Sequence, residues 1–160
     1  MRNDALHRRH GRNDRRLAER FLRNARSFWN GTDELVPRFP DGARHFLAIA
    51  IELALKAYLL HRGISDDWNR IHVRHDLLKA LKSAKRAGFD GAPPGLAKIA
   101  AALNPYYKTH TIPHMPAETI ASVCWLDACQ TVQDLITAVA TAIGVQVPDS
   151  PTNAIPREGG

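Results

Sequence analysis

Two stretches of the 160-residue chain gather side chains that handle protons and phosphates. His72, Arg74 and His75 lie ahead of a leucine-rich run, and Tyr106, Tyr107, Lys108, His110 and His114 fall within NPYYKTHTIPHMP. A histidine beside a cation can cleave RNA without a metal. The imidazole takes the 2′-hydroxyl proton or protonates the leaving oxygen, and a lysine or arginine stabilises the charge that develops on the phosphate. Tyrosines can stack bases. The same residues also have a structural reading: in a proline-rich connector they cap helices and pack against them, and His75-Asp76 before a leucine run is a good helix start. Lys108, His110 and His114 form the candidate catalytic set. Tyr106, Tyr107, Arg70, Arg74 and His75, with Arg8 and Arg9 near the N-terminus, form the candidate RNA- or nucleotide-binding set.

Other chemistries find less support. His110-x3-His114 with Cys124 and Cys129 supplies four zinc-type ligands, but zinc sites usually use tight pairs, and cysteines five apart on a helix sit about 140° around its axis. No metal and no cofactor are expected. There is no G-x-x-x-x-G-K-[ST] or G-x-G-x-x-G phosphate loop. Glu52 has Lys56 at i,i+4 to pair with along a polar stripe, and Asp66-Asp67 reads as a solvated loop, so paired carboxylate catalysis has no obvious place.

Charge is distributed unevenly. The first 30 residues hold nine arginines against three acids, residues 68–88 hold six cations against Asp76 alone, and residues 111–160 hold one arginine against five acids. Such asymmetry concentrates positive potential on part of the surface and favours a polyanion such as RNA. Two cysteines argue against a disulfide-stapled secreted fold, and the basic start has no apolar stretch behind it to make a signal peptide. The longest apolar stretch, residues 46–60, is interrupted by Glu52 and Lys56, too short for a membrane span. A cytoplasmic protein with no membrane contact is expected.

The elements that must position these residues are helical. Residues 1–13 lack apolar periodicity and read as a basic flexible arm. Leu17, Phe21, Leu22, Ala25 and Phe28 predict a helix over residues 14–29, ended by Asn30-Gly31. Asp41 is the expected N-cap of a second helix, HFLAIAIELALKAYLLH, stopped by Gly63 and apolar enough to be central, with Leu53, Ala57 and Leu60 on its buried side. A third helix is predicted over residues 75–87. A fourth begins at Leu96 and should lose regularity near Asn104, because Pro105 disfavours helix at the residue before it. The last is predicted over residues 117–143, stopped by Gly144. Residues 145–160 read as a disordered or loosely docked tail. With long apolar runs spaced at three and four rather than two, the expectation is an all-α domain over residues 14–144: an up-and-down antiparallel bundle of four to five helices.

This order of pieces resembles the HEPN family of α-helical domains. The resemblance covers residues 14–143 and rests on Glu52-Leu53-x-Leu55-Lys56-Ala57 in the central helix and His75-Asp76-Leu77 opening the next. It implies a compact helical bundle that dimerises and either acts as a metal-independent ribonuclease in toxin–antitoxin or defence systems, or binds RNA, a nucleotide or an antitoxin-like partner protein without catalysis. Active members carry an arginine and, after four to six intervening residues, a histidine. Here that position holds Lys108-x5-His114, and lysine lacks the planar fork that grips phosphate oxygens in pairs. Arg70-x4-His75 and Arg38-x6-His45 match the spacing but lie away from the family's position. The resemblance therefore points first to a binding module.

Overall fold

A run of ten residues, Ile51 to Leu60, is buried at every position but Leu53, so the helix that carries it has to lie inside the molecule. The computed structural model describes the backbone of residues 2–146 and side chains from Asp14 onward. Among the described residues there are seven α-helices and no strand: α1 (Arg2–Leu35), α2 (Pro40–His61), α3 (Asp66–Trp68), α4 (Leu77–Arg86), α5 (Leu96–Tyr107), α6 (Ala117–Ala121) and α7 (Trp125–Ile143). A π-helical turn, Asn69–Val73, follows α3, and a 3₁₀ turn, Ile112–His114, precedes α6. Helix α2 packs against α1, α4, α5 and α7. Leu22, Leu47, Ile51, Leu55, Leu77, Leu96, Val132 and Ile136 join in one continuous core.

The helix count exceeds the expected four to five because Asp66-Asp67, read as a loop, opens the single turn α3 (Asp66–Trp68) capped by Ser65, and because α6 is a short piece that periodicity does not separate from α7. Where one helix was expected over residues 117–143, the chain breaks at Ser122–Cys124. Ile120 before the break and Ala128, Val132, Leu135 and Ile136 after it still pack on the core, so periodicity reads them as one helix, whereas Leu126, which fits the same pattern, is turned out to solvent. Helix α1 also differs from its expected span of residues 14–29. Asn30-Gly31 does not end it, because Gly31 serves packing: a Cβ there would meet the Phe46 ring of α2 at 3.1 Å. At the other end its backbone reaches Arg2, in a segment rich in arginine, which has good helix propensity without an apolar stripe.

Asp41 is not the N-cap of α2. Phe39 occupies that position, Pro40 opens the helix with the φ it already favours, and Asp41 accepts from Arg44 Nη1 at 2.8 Å. Ala57 and Leu60 are buried as expected, whereas Leu53 is only half-buried. Pro105 lies inside the last turn of α5. The turn holds because Asn104, also helical, is tied by its side chain to the start of α4: its Oδ1 accepts from Leu77 N–H at 2.7 Å and its Nδ2 donates to Asp76 Oδ1 at 3.0 Å. Asp76 caps α4 and accepts from Lys79 N–H. Gly144 ends α7 in the left-handed conformation. The tail from residue 147 lies outside the described residues. Among the described residues no helix is long and apolar enough to cross a membrane.

Candidate functional site

Helix α2 places Glu52 and Lys56 one turn apart, and both are buried rather than set on a solvated stripe. A carboxylate and an ammonium in such surroundings are tolerated only when paired and further hydrogen-bonded. Glu52 meets that requirement with three donors. Lys56 Nζ lies 2.5 Å from Oε1, His75 Nδ1 lies 3.1 Å from Oε2, and the Tyr107 hydroxyl also donates to Oε2. Lys56 donates a second bond, 2.7 Å, to the carbonyl of Arg74. One buried ion pair thus joins α2 to the segment before α4 and to the end of α5.

The network leaves a reactive face outward. A carboxylate only accepts, so its bond to His75 places the imidazole proton on Nδ1 and leaves Nε2 without a protein partner among the described residues. The His75 side chain is 52% exposed, so that second nitrogen is within reach of a ligand. His110 stands edge-on to His75 with ring centroids 5.6 Å apart. Tyr107 is flanked by His75 at 5.8 Å and His45 at 5.5 Å. Burial, the Glu52 charge and the hydrogen bond to Glu52 hold the Tyr107 phenol well above its ordinary range. Burial lowers the His45 imidazole below its ordinary value, nearby His110 and His75 lower it further, and Glu52 opposes them. Arg74 and His110 both take positive φ, 52° and 57°, which side chains other than glycine adopt at a cost.

The candidate catalytic residues do not come together as one set. Lys108 is exposed and directed to Asp76, with Nζ 3.8 Å from Oδ2. Burial alone would raise the Asp76 carboxyl, but the Lys79 N–H, the Asn104 amide and the Lys108 charge outweigh it and lower the group below its ordinary range. His114 is exposed on the 3₁₀ turn and has no side-chain partner among the described residues. Only His110 of the three enters the Glu52 cluster. In the candidate binding set, Tyr107 is buried as a donor to Glu52, and Tyr106 is half-buried against the core. His75 bonds Glu52, Arg74 contributes its carbonyl, and Arg70 is exposed beside Asp67 at 3.6 Å. The side chains of Arg8 and Arg9 lie outside the described residues.

Sequence reasoning missed Glu52 and Lys56 as a buried centre and set His45 aside because Arg38-x6-His45 lies away from the family's position. The available signal was two opposite charges one turn apart in the most apolar helix, where burial all round leaves no solvated stripe. Cys124 is exposed and Cys129 half-buried, both free thiols. Burial, then the Asp33 charge, pushes Cys129 up to about 11, against a hydrogen bond with Thr32 that lowers it. Among the described residues no three histidine, cysteine, aspartate or glutamate side chains are grouped as a metal ion would require.

A different surface feature lies on α4. Lys79, Lys82, Lys85 and Arg86 are exposed, and none is ion-paired among the described residues. Lys82, Lys85 and Arg86 border a shallow groove with Leu78 and Leu81. Comparison of the chain with protein-family models, with curated proteins and with solved structures finds no match in any of the three.

Proposed function

We propose that this chain is an HEPN-like up-and-down helical module that dimerises and binds RNA through the cationic ridge of α4. The observation that carries the reading is the row of four exposed cations, Lys79, Lys82, Lys85 and Arg86, with no acid paired to any of them among the described residues. Unneutralised cations on one helix are the footprint of polyanion binding, because each phosphate contact releases condensed counterions. The HEPN resemblance is supported by the way its two segments meet: Glu52 bonds His75, and Lys56 bonds the Arg74 carbonyl. Binding without cleavage is favoured because Lys108, at the position of the family's arginine, is drawn to Asp76, and His114 has no side-chain partner among the described residues.

The test is a titration of single-stranded RNA at several salt concentrations with the wild type and with Lys82→Gln/Lys85→Gln. The salt slope should fall by about 0.7 for each phosphate contact removed. An unchanged slope would reject the ridge as the RNA surface, and preference for a free nucleotide or a protein would redirect the reading to those ligands. Sedimentation at micromolar concentration tests the dimer.

A second reading, a metal-independent endoribonuclease, is favoured by the His75–His110 contact. His75, oriented by Glu52, would take the 2′-hydroxyl proton on Nε2 as the 2′-oxygen bonds to phosphorus. His110 would give a proton to the departing 5′-oxygen, leaving a 2′,3′-cyclic phosphate and a 5′-hydroxyl. Cleavage that resists EDTA and falls 10²- to 10⁴-fold in both His75→Ala and His110→Ala would establish this reading over the first. The same loss in His114→Ala alone would return the role to His114.

A further inference from the structure

A cavity of about 240 Å³ opens between the end of α1, the start of α2, α5 and the α6–α7 break. Leu47, Leu103, Ile120, Val123 and Trp125 contribute to walls that are almost entirely hydrocarbon. Folded interiors leave few voids larger than a water molecule, and an apolar chamber of this size offers water too few polar partners to fill it well. The helix over it is incompletely packed: α6 has no buried residue, and Ile120, Val123 and Trp125 are half-buried although all three touch the core.

The lining holds one charged residue, Arg44, whose side chain is 19% exposed. It donates from Nη1 to Asp41 Oδ1, and its remaining guanidinium N–H groups have no partner among the described residues. A guanidinium is a planar fork that matches a carboxylate with two parallel hydrogen bonds, so one bond to Asp41 leaves capacity for a second acceptor. An apolar chamber with a few polar groups at its edge is the usual composition of a small-molecule site, and here the Arg44 guanidinium is such a group, ion-paired on one side with Asp41.

We propose that the cavity binds a small monocarboxylic acid with an apolar body, the hydrocarbon in the chamber and the carboxylate on Arg44. The site is separate from the α4 ridge and from the Glu52 network, so it stands independently of the RNA reading. The experiment uses octanoate and 1-octanol below their aggregation limits, with calorimetry and methyl NMR on the full chain. Octanoate should shift the methyl resonances of Ile120, Val123 and Leu47 and bind roughly ten-fold more tightly than octanol, the margin expected of a charge-assisted hydrogen bond. Arg44→Gln should erase that preference while octanol affinity stays the same. Ala102→Phe, placed in the lining, should abolish binding of both. Because that variant could misfold, the methyl shifts of the wild type are the primary readout. Absence of those shifts, equal affinity for the two probes, or a preference that survives Arg44→Gln would each overturn the proposal.

Discussion

Truncating Glu52 would leave the Lys56 ammonium buried beside a lone carbonyl and would strip His75 and Tyr107 of their shared acceptor. Breaking a buried pair from one side costs about 3–5 kcal/mol, so Glu52→Ala should show that loss in urea denaturation, and a loss under about 1 kcal/mol would mean that water reaches the pair. His45 gives a second test at this scale. Its imidazole titrates below the ordinary value of 6.5 in the folded chain, so between those two values the unfolded chain binds more protons. Stability therefore rises with pH through that window and is lost on acidification below about 6.5. His45→Gln should flatten this part of a plot of melting temperature against pH. The i,i+4 relation of Glu52 and Lys56 was legible in the sequence, and so was the helix start at His75-Asp76. Their meeting was not, because the two segments are 23 residues apart and only the packing of α4 on α2 brings them together.

At the scale of elements, the apolar periodicity located α2 and α4 well and made α2 the core helix, as its burial shows. What it could not convey was how single residues of one helix are fixed by another. Pro105 reads as a terminator until Asn104 is seen holding the start of α4, and Gly31 reads as a stop until Phe46 is seen against it. Asn104→Ala should cost about 1–3 kcal/mol by leaving the Leu77 N–H unsatisfied, with faster hydrogen exchange in the first turn of α4. In α2, Leu55→Ala should cost about 2–5 kcal/mol. Leu53→Ala should cost less, since its side chain is only half-buried; equal losses in denaturation would contradict the burial described for α2.

At the scale of the whole molecule, the uneven charge was legible from composition, and the structure gives part of it a location. The cations of residues 68–88 spread over the π-helical turn and α4, with the lysines unopposed on the helix. The arginines before Asp14 add to the same net charge, and among the described side chains of α1 the first buried one is Ala18. Deleting residues 2–13 should leave the melting temperature unchanged while weakening RNA binding and lowering its salt slope. An unaltered slope would confine the RNA contacts to residues beyond 13.

The two thiols make the α6–α7 break accessible to chemistry. Cys124 is exposed in the break itself, whereas Cys129, one turn on, is half-buried with its thiol pushed up to about 11. An alkylating reagent should therefore reach the exposed Cys124 before the half-buried Cys129. A fluorophore attached at Cys124 would report on the break itself, at a distance from the half-buried Cys129.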